Sequence, residues 1–92
     1  MPAAMQSMAL EQLPYLANVT SENNFMTLRK ISVKSCPYLT RNFDFVYDWR
    51  TNTRLGAGNL ELEMTGVYWS YVAPEKLIAM GDLGSVSLKG KV

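Results

Sequence analysis

The sequence predicts an α+β, β-rich domain: a short N-terminal helix on a four- to five-stranded, mainly antiparallel sheet or small open barrel with a long hairpin. Three observations predict it. Helix-forming residues dominate the first thirteen positions and stop at Pro14. Two runs of alternating apolar and polar residues, 38–49 and 59–65, flank a turn-rich stretch, which is the pattern of a hairpin. Short apolar runs punctuated by Gly and Pro fill the remainder. The chain divides into a helical arm at 1–17, a polar linker at 18–24 and one β-rich domain at 25–92.

In the arm, Met5, Ala9, Leu13 and Leu16 fall on one helical stripe, with Met8 and Gln12 beside it. A helix of about twelve residues is marginal alone in water, so it docks either on its own sheet or on a neighbouring subunit. Methionine-rich surfaces adapt to either partner. From Phe25 to Ser35 the alternation is imperfect, and a bulge near Arg29-Lys30 brings Met26, Leu28, Ile31 and Val33 to one face. Cys36-Pro37 ends that strand. The next strand, Tyr38 to Trp49, places Leu39, Phe43, Phe45, Tyr47 and Trp49 inward. After a turn at 51–53 and a Gly-rich bend at 54–58, Leu60, Leu62 and Met64 point inward and Glu61 and Glu63 outward. The run 67–73 is apolar on both faces, so it is either covered twice or meets a partner. A short helix begins at Pro74, a turn covers 81–84 and a last strand covers 85–89. No internal repeat stands out.

Composition limits the chemistry. Ninety-two residues make one domain. Cys36 is the sole cysteine and histidine is absent, which excludes an intrachain disulfide, a Cys/His zinc site and any His-activated nucleophile. Cys36 reads as a packed structural thiol, and the acidic pairs Asp44/Asp48 and Glu61/Glu63 as solvated strand faces. Gly56-Ala57-Gly58 lacks the surroundings of a nucleotide loop. No enzymatic activity and no cofactor are expected. The net charge of +1 exerts no global pull toward nucleic acid or membrane. No apolar run approaches the ~20 residues of a membrane span, and the N-terminus lacks a signal-peptide basic region. The expected location is the cytoplasm or an assembled particle such as a virion.

Only 18% of the residues are charged, which leaves apolar surface for a partner. The expected contact residues are Met5, Met8 and Leu13 in the arm, Tyr68 and Val72 on the doubly apolar strand, and Arg54 in the bend. The rival reading is single-stranded nucleic-acid binding through the basic segment 29–54, with Arg29, Lys30, Lys34, Arg41 and Arg50 on phosphates and Tyr38 stacking a base.

Residues 36–65 also carry a family resemblance. Cys-Pro-Tyr-Leu-Thr-Arg-Asn-Phe-Asp, followed by Thr-Arg-Leu-Gly-Ala-Gly-Asn-Leu-Glu-Leu-Glu-Met-Thr, resembles the central stretch of tail-tube-type proteins, including the haemolysin-coregulated tube proteins of phage-like contractile systems. The resemblance implies ring-forming self-association without catalysis, and phage head, tail or decoration subunits fit it equally. The leading expectation is therefore a structural subunit that self-associates or docks into a larger complex.

Overall fold

Four short segments carry a pair of apolar residues two positions apart: Met8 and Leu10, Ile31 and Val33, Leu62 and Met64, Val86 and Leu88. In the computed structural model, which describes residues 5–20 and 22–91, each segment is a strand. They are β1 (Ser7–Glu11), β2 (Lys30–Lys34), β3 (Glu61–Tyr68) and β4 (Ser85–Lys91). The strands lie side by side in chain order, and every pair is parallel. One row of the register runs Ser7, Lys30, Glu61, Ser85, so successive units begin 23, 31 and 24 residues apart.

This overturns the mainly antiparallel sheet and its long hairpin. Residues 38–49 satisfy two periods at once. Phe43, Phe45 and Trp49 alternate as in a strand, but Phe45 and Trp49 are also i and i+4 of a helix, with Val46 on the same side. The helix wins. Leu39–Asn42 is a 3-10 turn, and α2 spans Asp44–Asn52 with Phe45, Val46 and Trp49 buried. Tyr47, expected inside, is half exposed. Asp44 in the first turn and Arg50 in the last both suit the helix dipole. Thr51 and Asn52 are therefore the end of a helix, not the tip of a hairpin.

Three other expectations change. The N-terminal helix is replaced by β1, where hydrogen bonding along β2 outweighs the helix preference of Met, Ala, Leu and Glu; residues 1–4 lie outside the described residues. The apolar run at 67–73 is not one strand. β3 stops at Tyr68, Trp69–Tyr71 is a 3-10 turn, and Val72 is buried in the core. Glu22–Phe25 forms a single helical turn, α1, where the polar linker was expected. The helix beginning at Pro74 is α3 (Pro74–Ile78), and the last strand is β4.

The helices serve one face of the sheet. Ile31, Val33, Leu62, Met64 and Val67 are fully buried there, against a layer that includes Phe25, Leu28, Leu39, Phe45, Val46, Trp49 and Met80. The Trp49 indole donates to the Leu28 carbonyl at 2.9 Å. On the opposite face Lys30 and Lys34 are exposed, and Ser32, Glu61, Glu63 and Thr65 are half-buried. Parallel sheets are usually covered on both faces. With all strands parallel and in chain order, each strand but the last is followed by a segment that returns to start the next one beside it.

A recurring turn supports that description. Directly after the outward-facing Glu11, Lys34 and Thr65 come Gln12, Ser35 and Gly66, with φ of 54°, 57° and 68°. Their amides continue the ladder: Gln12 N–H bonds the Lys34 carbonyl at 2.8 Å, and Ser35 N–H the Thr65 carbonyl at 3.0 Å. Beneath the second turn the buried Cys36 Sγ lies 3.6 Å from the carbonyl oxygens of both Leu10 and Lys34. The second unit thus reads Leu28-x-x-Ile31-x-Val33-x-x-Cys36-x-x-Leu39, with all five named residues buried.

Candidate functional site

The polar face of the sheet is built row by row. Parallel register sets Ser7, Lys30, Glu61 and Ser85 side by side, then Ala9, Ser32, Glu63 and Ser87, then Glu11, Lys34, Thr65 and Lys89. β2 therefore presents a basic stripe and β3 an adjoining acidic one. Lys34 Nζ lies 3.7 Å from Glu63 Oε1, and the Ser32 hydroxyl donates to the same oxygen at 3.3 Å. These contacts hold the central charges in place across the strands.

At the carboxyl edge of this face lies a cleft of about 440 Å³ lined by Gln12, Pro14, Ser35, Pro37, Gly66 and Tyr68. The lining is the recurring turn itself: the left-handed residue of three successive units and the residue two places after it. Gly66 is required here. Its φ is positive, and a Cβ would lie 3.0 Å from the Ser35 backbone. Tyr68 joins the cleft to an aromatic cluster, in which the rings of Tyr38, Tyr68 and Tyr71 sit 5.7–6.4 Å apart. The Arg41 guanidinium lies 4.6 Å from the centre of the Tyr38 ring and 5.0 Å from that of Tyr71. The buried Thr40 hydroxyl donates to the Tyr68 carbonyl and fixes the cluster to the end of β3.

The residues expected to make contacts are scattered by this fold. Met5 and Leu13 are exposed on either side of β1, and Met8 is half-buried on its core side. Tyr68 lines the cleft. Val72 belongs to the interior, 7% exposed. Arg54 is exposed after α2, its amide bonded to the Met26 carbonyl at 2.9 Å.

The six residues of the basic segment do not converge either. Lys30 and Lys34 lie on the sheet face, and Tyr38 and Arg41 in the aromatic cluster. Arg29 lines a small cleft with Gly58, Asn59 and Gly84. Arg50 lies on α2, side-on to Asp82 with contacts of 2.7 and 2.5 Å. The hydrogen bonds from Arg50 hold the Asp82 carboxyl below its usual range, and Asp82 in turn raises the Arg50 pKa. The outward Glu61 and Glu63 were readable from alternation. Their placement beside Lys30 and Lys34 was not, because it depends on parallel register.

Chemically, the face and its cleft offer amine, carboxylate, hydroxyl and phenol groups. Cys36 is buried beneath it. Among the described residues no group of three His, Cys, Asp or Glu side chains is arranged to hold a metal, and no helix is long and apolar enough to cross a membrane. Comparison with protein-family models, curated proteins and solved structures finds no match to the chain.

Proposed function

We propose that this chain is a non-catalytic recognition domain of repeat type that docks a protein partner on the open face of its sheet. The observation that carries the proposal is a parallel sheet in chain order whose second face is polar and, among the described residues, not covered by a helix. Solenoid proteins use such faces as extended binding surfaces. The spacing Leu-x-x-Ile-x-Val-x-x-Cys at 28–36 is similar to the leucine-rich-repeat pattern, whose units also join one strand to a short helical return. Unit lengths of 23, 31 and 24 residues lie close to that period.

The charge pattern favours a protein over a nucleic acid. Glu61 and Glu63 stand beside Lys30 and Lys34, so a phosphate backbone crossing the face would meet anions as well as cations. A protein surface of alternating sign matches both stripes. The proposal retains docking into a larger complex and takes nothing from the resemblance to tube proteins, since residues 36–65 form α2 and a parallel strand in place of a hairpin.

The test compares a face variant, Lys30→Glu with Glu63→Lys, against Thr51→Lys on the exposed side of α2. Proteins retained by the tagged wild-type chain from extracts of its own cells should be lost by about tenfold or more with the face variant and kept with Thr51→Lys. Equal retention by both variants would overturn the proposal. Recovery of salt-sensitive nucleic acid in place of protein would favour the rival reading.

A further inference from the structure

We propose that the outer edge of β4 receives the outer edge of β1 from a second copy of the chain, so that the parallel sheet continues head to tail between molecules. This rests on the two ends of the sheet and stands whether or not the open face binds a partner.

β1 and β4 are the edge strands, and among the described residues no further strand pairs with either. The apolar layer does not stop at these edges. Ile31, Val33, Leu62 and Met64 are at most 1% exposed in the middle of the sheet, whereas Val86, on the same face of β4, is 39% exposed. Leu88 on β4, and Met8 and Leu10 on β1, are only half-buried. Ile78, on α3, is 78% exposed. Leu13 and Tyr15, just after β1, are exposed as well. Repeat proteins normally close such ends with a polar cap.

The register specifies how the two edges meet. Each row steps from Ser7 to Lys30 to Glu61 to Ser85. One more step brings Ser7 of the second copy beside Ser85. Val86 then adjoins Met8 of the second copy, and Leu88 adjoins its Leu10, which completes the apolar layer. On the polar side Ser87 meets Ala9 of the second copy, and Lys89 meets its Glu11, so the one charged pair created has opposite signs. Both edges offer five residues before the geometry changes: β1 ends at Glu11, and beyond Lys89 the pairing of β4 with β3 shifts register at Gly66. Within Ser7–Glu11 there is no Lys, Pro or bulge of the kind that protects an edge. The contact joins two different surfaces and continues the rows of the sheet in one direction, so it adds copies as a stack and does not pair them as an isologous dimer.

Sedimentation velocity of the 92-residue chain at low ionic strength, from micromolar to near-millimolar concentration, tests this. The average mass should climb past the dimer without a plateau. Lys89→Glu and Glu11→Lys should each move association to about 3- to 10-fold higher concentration by juxtaposing like charges. The double variant should return it to the wild-type range, and circular dichroism should show all three variants folded. A monomer throughout, a mass that stops at two, or association indifferent to the single swaps would each overturn the proposal.

Discussion

Trp49 ties the helical layer to the sheet in two ways. Its ring is fully buried, and its indole N–H satisfies the Leu28 carbonyl just ahead of β2. Trp49→Phe keeps an aromatic ring but leaves a void and an unpaired carbonyl. The expected loss is about 2–4 kcal/mol of unfolding free energy, read as a lower urea midpoint at unchanged slope. Phe43, Phe45 and Trp49 were legible as core residues from their apolar character alone, because burial does not depend on which element carries them. Val72 was equally apolar, yet nothing in its neighbours distinguished an interior position from a contact surface.

Among the elements, α2 shows why the strand assignment failed. In a stretch as short as 38–49, periods of 2 and 3.6 select overlapping residues, and the aromatics fit both. The deciding signals were Asp44 at one end and Arg50 at the other, which suit a helix and mean nothing in a strand. Arg50 also clips α2 to the turn before β4 through Asp82. The folded state holds the Asp82 pKa below its unfolded value. Its contribution is therefore fully present at and above the ordinary carboxylate range and is lost as pH falls through the depressed pKa. The raised Arg50 pKa works in the opposite direction and matters only at strongly alkaline pH. The stability gap between wild type and Asp82→Asn should thus be constant near neutrality and shrink on acidification; urea titrations across the acid range check this. The pair is solvent-exposed, so the gap is small and salt weakens it further.

At the scale of the whole molecule, protection should vary along the sheet. Among the described residues, β2 and β3 each have two neighbouring strands, whereas β1 and β4 have one. In a nearest-neighbour architecture the ends open before the middle. Hydrogen exchange by NMR on dilute protein should find the slowest amides at Ile31–Val33 and Leu62–Met64, and faster exchange in Ser7–Glu11 and Ser85–Lys89. Uniform protection across the four strands would contradict this picture. Strand direction was the least legible property of the fold. Alternation reports which residues face inward, and Ile31 and Val33, Leu62 and Met64, and Val86 and Leu88 share the side expected of them, whereas Met26 and Leu28 precede β2, which has no bulge; but alternation carries no sign for parallel or antiparallel pairing. That choice depends on the returning segments, and the longest of them was mistaken for a strand. The open face was hidden for the same reason, since its rows exist only once parallel register is known.

The unequal returns, with strands starting 23, 31 and 24 residues apart on an unbroken set of rows, bear on how such a chain can change length. Strand order equals chain order, so a tandem copy of residues 30–60 would enter the sheet as one additional strand that lengthens every row, with no existing strand rethreaded. The same duplication inside a hairpin would reverse the direction of everything after it. Growth by copying whole segments is thus open to this architecture, and the width of the open sheet face is a heritable variable set by the number of copies.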